Sequence, residues 1–295
     1  MTREPTDRQM RVDHVSIAVR DIDTTLAFFR SCFPIEVRVQ KRPGYTDDFN
    51  WCDFYIGQFK IELIEATRAD SFVRRFIDKR SEGMHHLSLE VRDLEPLLQR
   101  LQNDGLRIVD RFVASDGHAT AFISPRSAHG VLVQFWQVPH VIEPERPHTV
   151  PFRLRSGETV QVRVDHVSIA VRSIEQTMGF FQRYFPVRNA RERHVGYDGS
   201  FALTNFLLNG YKIELIEAVA APVPGFVTRF IERRGEGLHH ISIDVDRLDP
   251  LLAQLETDGV RIVDKFDFSP QLKTAFISPR SAHGVLIQFW QQPFE

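Results

Sequence analysis

RVDHVSIAVR occupies residues 11–20 and returns unchanged at 163–172, and ISPRSAHGVL occupies 123–132 and returns at 277–286. Two identical decapeptides in the same order mean that one module is written twice. The second pair is displaced by two residues more than the first. The second copy therefore carries a two-residue insertion, expected in the APVPG stretch around Pro222 and Pro224. Between the copies, residues 138–160 are Pro-rich and charged with no helical period, which reads as a linker. The organisation expected is a first module over 1–137, a linker over 138–160 and a second module over 161–295.

Working outward from VDHVSIAV, Val15, Ile17 and Val19 alternate with His14, Ser16 and Ala18, the period of a half-buried strand. A helix follows, with Ile22, Leu26, Phe29 and Phe33 on one face and Ile174, Met178, Phe181 and Phe185 as their counterparts. Pro34 and Pro186 stop it. Strands are expected around 52–56 and 60–66, then a short amphipathic segment over 71–80 and a new strand, HHLSLEV. A second helix carries Leu94, Leu97, Leu98 and Leu101, with Pro96 in its first turn and Gly105 at its C-terminal cap. Strands at 107–110, 118–123 and 130–137 close the copy. Each copy is thus strand, helix, strands, twice over. The fold class is α+β, with open antiparallel-rich sheets whose polar faces line a cup.

The composition bounds what such a cup serves. The 295 residues suffice for two domains with cores of their own, and 42% hydrophobic with 26% charged residues is the balance of a globular protein. No apolar run approaches the roughly 18 residues of a membrane span. MTREPTDRQM lacks the apolar region of a secretory signal, so a cytoplasmic location is expected. Cys32 and Cys52 have no counterparts in the second copy, which argues against disulfides and against a cysteine metal site. With net charge −2 and no basic tract, neither nucleic acid nor an anionic membrane is an expected partner; a small molecule is.

Four positions per copy fall on the polar faces: His14, Glu62 in KIELIEA, His86 in HHLSLEV and Gln134 in GVLVQFWQ, matched by His166, Glu214, His240 and Gln288. Alternation sends Leu87, Leu89 and Val91 to the core, which selects His86 over His85 for the cup. Glu62 interrupts an apolar strand between Ile61 and Leu63, and burying a carboxylate unpaired costs several kcal/mol, so it calls for a cation. Two imidazoles, a carboxylate and an amide oxygen on neighbouring strands suit a divalent first-row metal: Fe, Co, Ni, Mn or Zn.

DHVSIAVRDIDTTLAFF, KIELIEA, FIERRGEGLHHISIDV and SPRSAHGVLIQFWQ together resemble the vicinal oxygen chelate superfamily (glyoxalases, bleomycin-resistance proteins and dioxygenases), and within it the methylmalonyl-CoA epimerases. Each copy resembles one whole epimerase subunit. The resemblance implies paired βαβββ units and a metal site formed by His14, Glu62, His86 and Gln134, with the equivalent set in the second copy. There are departures. Family members that move protons carry a glutamate base on the final strand, where this chain has Gln134 and Gln288. The epimerases' other base precedes a glycine after the first helix, where this chain has Pro43 and Val195, with Arg42 and His194 one residue earlier. Glu62 and Glu214 are left as the candidate catalytic bases.

Trp136 and Trp290 share a face with Gln134 and Gln288 and are candidate substrate-stacking residues, with closing the cup floor as the alternative. Arg74, Arg75, Lys79 and Arg80 meet an anionic substrate on one reading and form a solvated helix face on the other; His118, replaced by Leu272 in the second copy, is an acid or base of one site on one reading and a solvated loop histidine on the other. The expectation is a metal-dependent isomerase or lyase acting beside a carbonyl, with an Fe(II) dioxygenase of the two-module type second and a metal-free binding or resistance protein third. A homodimer is compatible with all three.

Overall fold

A computed structural model describes residues 10–113, 118–139 and 148–294. The amino-terminal stretch read for a signal, and the centre of the segment read as a linker, lie outside them. In the first copy the elements run β1 (Met10–Val19), α1 (Ile22–Cys32), β2 (Ile35–Pro43), β3 (Phe49–Ile56), β4 (Phe59–Ala66), α2 (Phe72–Arg80), β5 (Gly83–Val91), α3 (Leu94–Asn103), β6 (Ile108–Val113), β7 (Ala119–Ile123) and β8 (Val133–Gln137). The second runs β9 (Val150–Arg153), β10 (Thr159–Val171), α4 (Ile174–Tyr184), β11 (Val187–Arg188), β12 (His194–Val195), β13 (Phe201–Leu208), β14 (Tyr211–Ala218), α5 (Phe226–Arg234), β15 (Gly237–Val245), α6 (Leu248–Thr257), β16 (Ile262–Ser269), β17 (Leu272–Ile277) and β18 (Leu286–Gln291).

Each copy is one mixed sheet, in the order β2-β3-β4-β1-β5-β8-β7-β6 and β11-β13-β14-β10-β15-β18-β17-β16, with β12 on β13 and β9 on β10. The α+β class and the two repeated modules are therefore as the sequence indicates. The two extra residues of the second copy sit between β14 and α5, as expected. The amphipathic segment over 71–80 is a helix, α2, started by the Ser71 hydroxyl accepting from the Val73 amide at 3.1 Å. Two elements depart from the reading. The stretch after Pro34 is a full strand, β2, whose pairing with β3 slips twice, between Val37 and Val39 and between Val39 and Arg42. Residues 150–160 of the stretch read as a linker belong to the β9–β10 hairpin, which continues into the second module.

Alternation divides the sheet faces. Val15, Ile17 and Val19 are fully buried on the helix-bearing face, where the Phe29 ring of α1 lies 4.8 Å from that of Phe54. On the other face α2 packs Val73 and Ile77 against Ala18, Phe49 and Ile64. Ala18 and Ile64 share their faces with His14 and Glu62, so α2 shuts one end of the polar face. α5 does the same in the second copy through Val227 and Ile231 against Ala170, Phe201 and Ile216.

The chain divides into two compact units, and neither coincides with a copy. One takes Met1–His14, His86–Arg146 and Val167–His239; the other takes Val15–His85, Pro147–His166 and His240–Glu295. Within the first, Phe135 of β8 stacks 6.3 Å from Phe185 and the Arg100 guanidinium donates to the Tyr184 carbonyl at 3.2 Å. Within the second, Phe33 lies 6.0 Å from Phe289 of β18 and Phe28 5.7 Å from His283. Halves of different copies are thus joined by the aromatic ends of α1 and α4.

This joining explains why SAHG is repeated without change. Gly130 and Gly284 adopt φ +81° and +82°, and a Cβ on either would collide with the carbonyl of Glu236 or Glu82 respectively. The same glutamates accept the amides of Arg172 and Arg20, each at 2.7 Å. Gly130→Ala and Gly284→Ala are each expected to destabilise the protein by about 2 kcal/mol or more, through positive φ plus collision. Gly179 is the contrast: it is an exposed helical glycine with nothing within 4 Å of a Cβ, and Ala27 occupies the equivalent place in α1. Gly179→Ala is expected to stabilise by about 0.5–1 kcal/mol. Thermal and urea unfolding of the three variants check both signs.

Candidate metal centre

The four central strands of the first sheet, β4-β1-β5-β8, carry Glu62, His14, His86 and Gln134 in that spatial order. β14-β10-β15-β18 carry Glu214, His166, His240 and Gln288. Neighbouring strands lie about 4.8 Å apart, so residues at one level of the same face converge. One ligand atom from each of His14, Glu62 and His86 falls within 4.8 Å of the others, and His166, Glu214 and His240 match this. The imidazoles of each copy meet edge to face with centroids 5.5 Å apart. All four histidines are buried, with exposures of 4–6%.

Buried histidines must be oriented, and the chain supplies partners that sequence reading missed. Asp13 holds the Nδ1 of His14 at 2.6 Å and Asp165 that of His166 at 2.7 Å. A carboxylate on Nδ1 fixes the tautomer that leaves Nε2 as the lone-pair donor, as around bound metals. The signal was present as the DH pair in both decapeptides. Strand alternation hides it, because Asp13 starts from the opposite face to His14.

Gln134 is fixed through a relay. Its Nε2 donates to the Thr120 hydroxyl at 3.1 Å, and that hydroxyl donates to the Phe135 carbonyl at 2.9 Å. A hydroxyl has one proton, so Thr120 accepts from the amide and turns Gln134 Oε1 toward His86 Nε2, 3.0 Å away. His240 and Gln288 repeat that contact at 3.0 Å. Adjacent donors around a first-row ion with bonds of roughly 2.0–2.2 Å are about 3 Å apart, so the pair fits coordination as well as a hydrogen bond. Beyond the histidines, the fully buried Ser16, Ser88, Ser168 and Ser242 hydroxyls make no hydrogen bond among the described residues. The donor set is two neutral imidazoles, one carboxylate and one amide oxygen. It fits a divalent first-row cation.

The remaining motif residues serve the frame. In KIELIEA, Glu65 accepts the Ile22 amide at 2.9 Å and caps α1; Glu217 does so for Ile174 of α4 at 2.6 Å. In QFWQ, Gln137 and Gln291 accept the first amides of α3 and α6, at 3.2 and 2.8 Å. His85 and His239 pack on Phe72 and Phe76, and on Phe226 and Phe230. Burial lowers both to a pKa of about 4, against the pull of Glu62 and Glu214, so they stay neutral beside the cluster. Asp244, bonded to Arg163 at 2.6 Å, is raised by burial and by Asp165.

Trp136 stacks on His118 with centroids 5.5 Å apart, which corrects the reading of His118 as merely solvated; Trp290 stacks on Phe268 at 5.9 Å. Arg74, Arg75, Lys79 and Arg80 are exposed, and Arg74 pairs with Asp78 at 2.9 Å, the solvated-face alternative. Cys32 and Cys52 are buried free thiols, with desolvation pushing Cys52 up to about 12. Among the described residues no helix is long and apolar enough to cross a membrane.

The model of the Glyoxalase/Bleomycin resistance protein/Dioxygenase superfamily matches residues 13–122 and again 165–275. The chain belongs to that superfamily. Its relatives match about one copy of this chain. An ethylmalonyl-CoA/methylmalonyl-CoA epimerase from Cereibacter sphaeroides is 30% identical over 135 residues, which is 43% of this chain and 98% of that protein. The mitochondrial methylmalonyl-CoA epimerase of Bos taurus is 28% identical over 130 residues, 43% of this chain and 74% of its own. An uncharacterised Bacillus subtilis protein, YqjC, is 35% identical over 126 residues, 42% of this chain and 89% of that one. A variant of 4-hydroxymandelate synthase from Streptomyces coelicolor superposes on 98% of this chain and 94% of its own, with TM-score 0.64 and 15% identity. That last likeness is one of fold: two superfamily modules in one chain.

A centre held in this way makes the Asp13 contact consequential. Asp13→Ala is expected to weaken divalent-metal binding by the first copy about 10–100-fold while leaving the second copy unchanged. Competition against a chromophoric chelator measures this, and unchanged affinity would remove Asp13 from the site.

Proposed function

We propose that each copy is a divalent-metal centre catalysing proton transfer next to a carbonyl of a small organic acid or acyl thioester, as an epimerase, isomerase or lyase. The observation that carries this is the donor set: a carboxylate within 4.8 Å of two buried histidines, beside an amide where a fourth ligand would stand. Bound there, a metal supplies Lewis acidity toward a substrate carbonyl. His14, His86 and Gln134 are neutral donors in fixed orientations, so Glu62 carries the formal negative charge of the set and leaves the centre cationic. Gln134 and Gln288 cannot accept a proton. Glu62 and Glu214 are the groups in the cluster that can, and we assign them the acid–base role. Trp136 and Trp290, two residues along the same face, are assigned to the flat part of the substrate. The epimerase names of the relatives support acyl-CoA esters as the first substrates to try.

The test is exchange of the α-proton of 2-oxo acids and acyl-CoA esters in deuterated water by metal-loaded protein. Exchange is expected, and Glu62→Gln with Glu214→Gln is expected to lower it at least about 10²-fold. Retention of full exchange in the double variant would overturn the assignment of the base. A second reading is favoured by the ligand types: two histidines and a carboxylate are also the set of Fe(II) oxygenases. Substrate-dependent oxygen uptake by the iron-loaded protein, without α-proton exchange, would put it in place of the first.

A further inference from the structure

The two centres share their histidines, aspartates, glutamates and glutamines, yet they differ at the residue facing the ligand carboxylate. In the first copy Asp53 of β3 lies directly across the antiparallel pair from Glu62. In the second, Asn205 of β13 lies across from Glu214. Directly opposed residues of an antiparallel pair point to the same face with Cβ atoms about 5 Å apart, so Asp53 stands beside the cluster. It is 3% exposed, and its Oδ1 accepts the Val39 amide at 2.9 Å where the β2 register slips. Its Oδ2 lies 3.8 Å from the Lys60 ammonium. Lys212 is the counterpart of Lys60, two residues before Glu214 on the same face, and position 205, across from Glu214, is an uncharged asparagine.

Resting on the reading of both clusters as metal centres, we infer that the copies are unequal, and that Asp53 makes the first the tighter divalent-cation site. Asp53, Lys60 and Glu62 sum to one negative charge, whereas Asn205, Lys212 and Glu214 sum to none. A whole charge one strand away in a poorly solvated face acts strongly on a divalent ion. Asp53 acts through Glu62 and the field of the site, as a positioning residue. At limiting metal the first centre fills before the second, so the chain has a one-metal state with a single loaded copy.

The rival account is that Asp53 only plugs the irregular β2 edge. In the second copy that edge is held instead by the Thr204 hydroxyl donating to the Arg191 carbonyl and by the Arg191 amide donating to the Asn205 carbonyl at 2.9 Å. Titration of Co(II) into metal-stripped full-length protein, followed by calorimetry and by native mass spectrometry, separates the two. We expect two steps whose affinities differ about tenfold or more. His240→Ala should leave the tight step and His86→Ala the weak one. Asp53→Asn should yield two weak, equal sites, and Asn205→Asp two tight ones, a gain that loss of folding cannot mimic. Two equal sites in the unmodified protein, or a tight step indifferent to both substitutions, would overturn the inference while leaving the metal centres standing. Absence of any Co(II) binding would overturn the metal centres and this inference together.

Discussion

A carboxylate set between Ile61 and Leu63 in the middle of a sheet is the constraint from which the rest of the structure follows. Glu62 is half-buried, and partly stripping a carboxylate of water is costly unless positive charge or hydrogen-bond donors replace that water. Strand order answers the demand by placing β1 beside β4 and β5 beside β1, so that His14 and His86 arrive at the level of Glu62. The same order in the second sheet brings His166 and His240 to Glu214. Helices α2 and α5 then shut one end of each polar face with apolar side chains.

Much of this was legible in the sequence because the signals are local. Glu62 announces itself by interrupting an apolar strand, and alternation alone separates His86 from His85. What was not legible depends on partners distant in the chain. Glu65 and Gln137 sit in the same motifs as the cluster residues, yet they cap helices whose first amides belong to Ile22 and Leu94. Asp13 is disguised by alternation, since its side chain must turn toward the ring of its own neighbour. β2 carries a short strand period, Ile35, Val37 and Val39 alternating with Glu36, Arg38 and Gln40, but the period stops at Lys41, the strand is half-exposed and its pairing slips twice. The joining of halves from different copies has no local signal, since Gly130 meets Glu236 and Gly284 meets Glu82 across more than half the module length.

The duplication bears on mechanism as well as on fold. The repeated decapeptides hold His14 and His166 of the clusters and Gly130 and Gly284 of the glycine contacts, while β3 and β13 differ. Trp51, Asp53 and Tyr55 in the first copy stand where Leu203, Asn205 and Leu207 stand in the second. Arg42 lies 4.7 Å over Trp51 and Arg38 3.9 Å over Tyr55, cation–π pairs that the leucines of the second copy cannot form. One candidate ligand set is therefore presented in two differently lined faces.

The central claim is that both clusters hold metal, and elemental analysis of the purified full-length protein tests it most directly. The account predicts close to two equivalents of a first-row divalent metal per chain, falling to about one when His14 or His166 is replaced by alanine. A metal content near zero, with no uptake from added Fe(II), Co(II), Ni(II), Mn(II) or Zn(II), would contradict it.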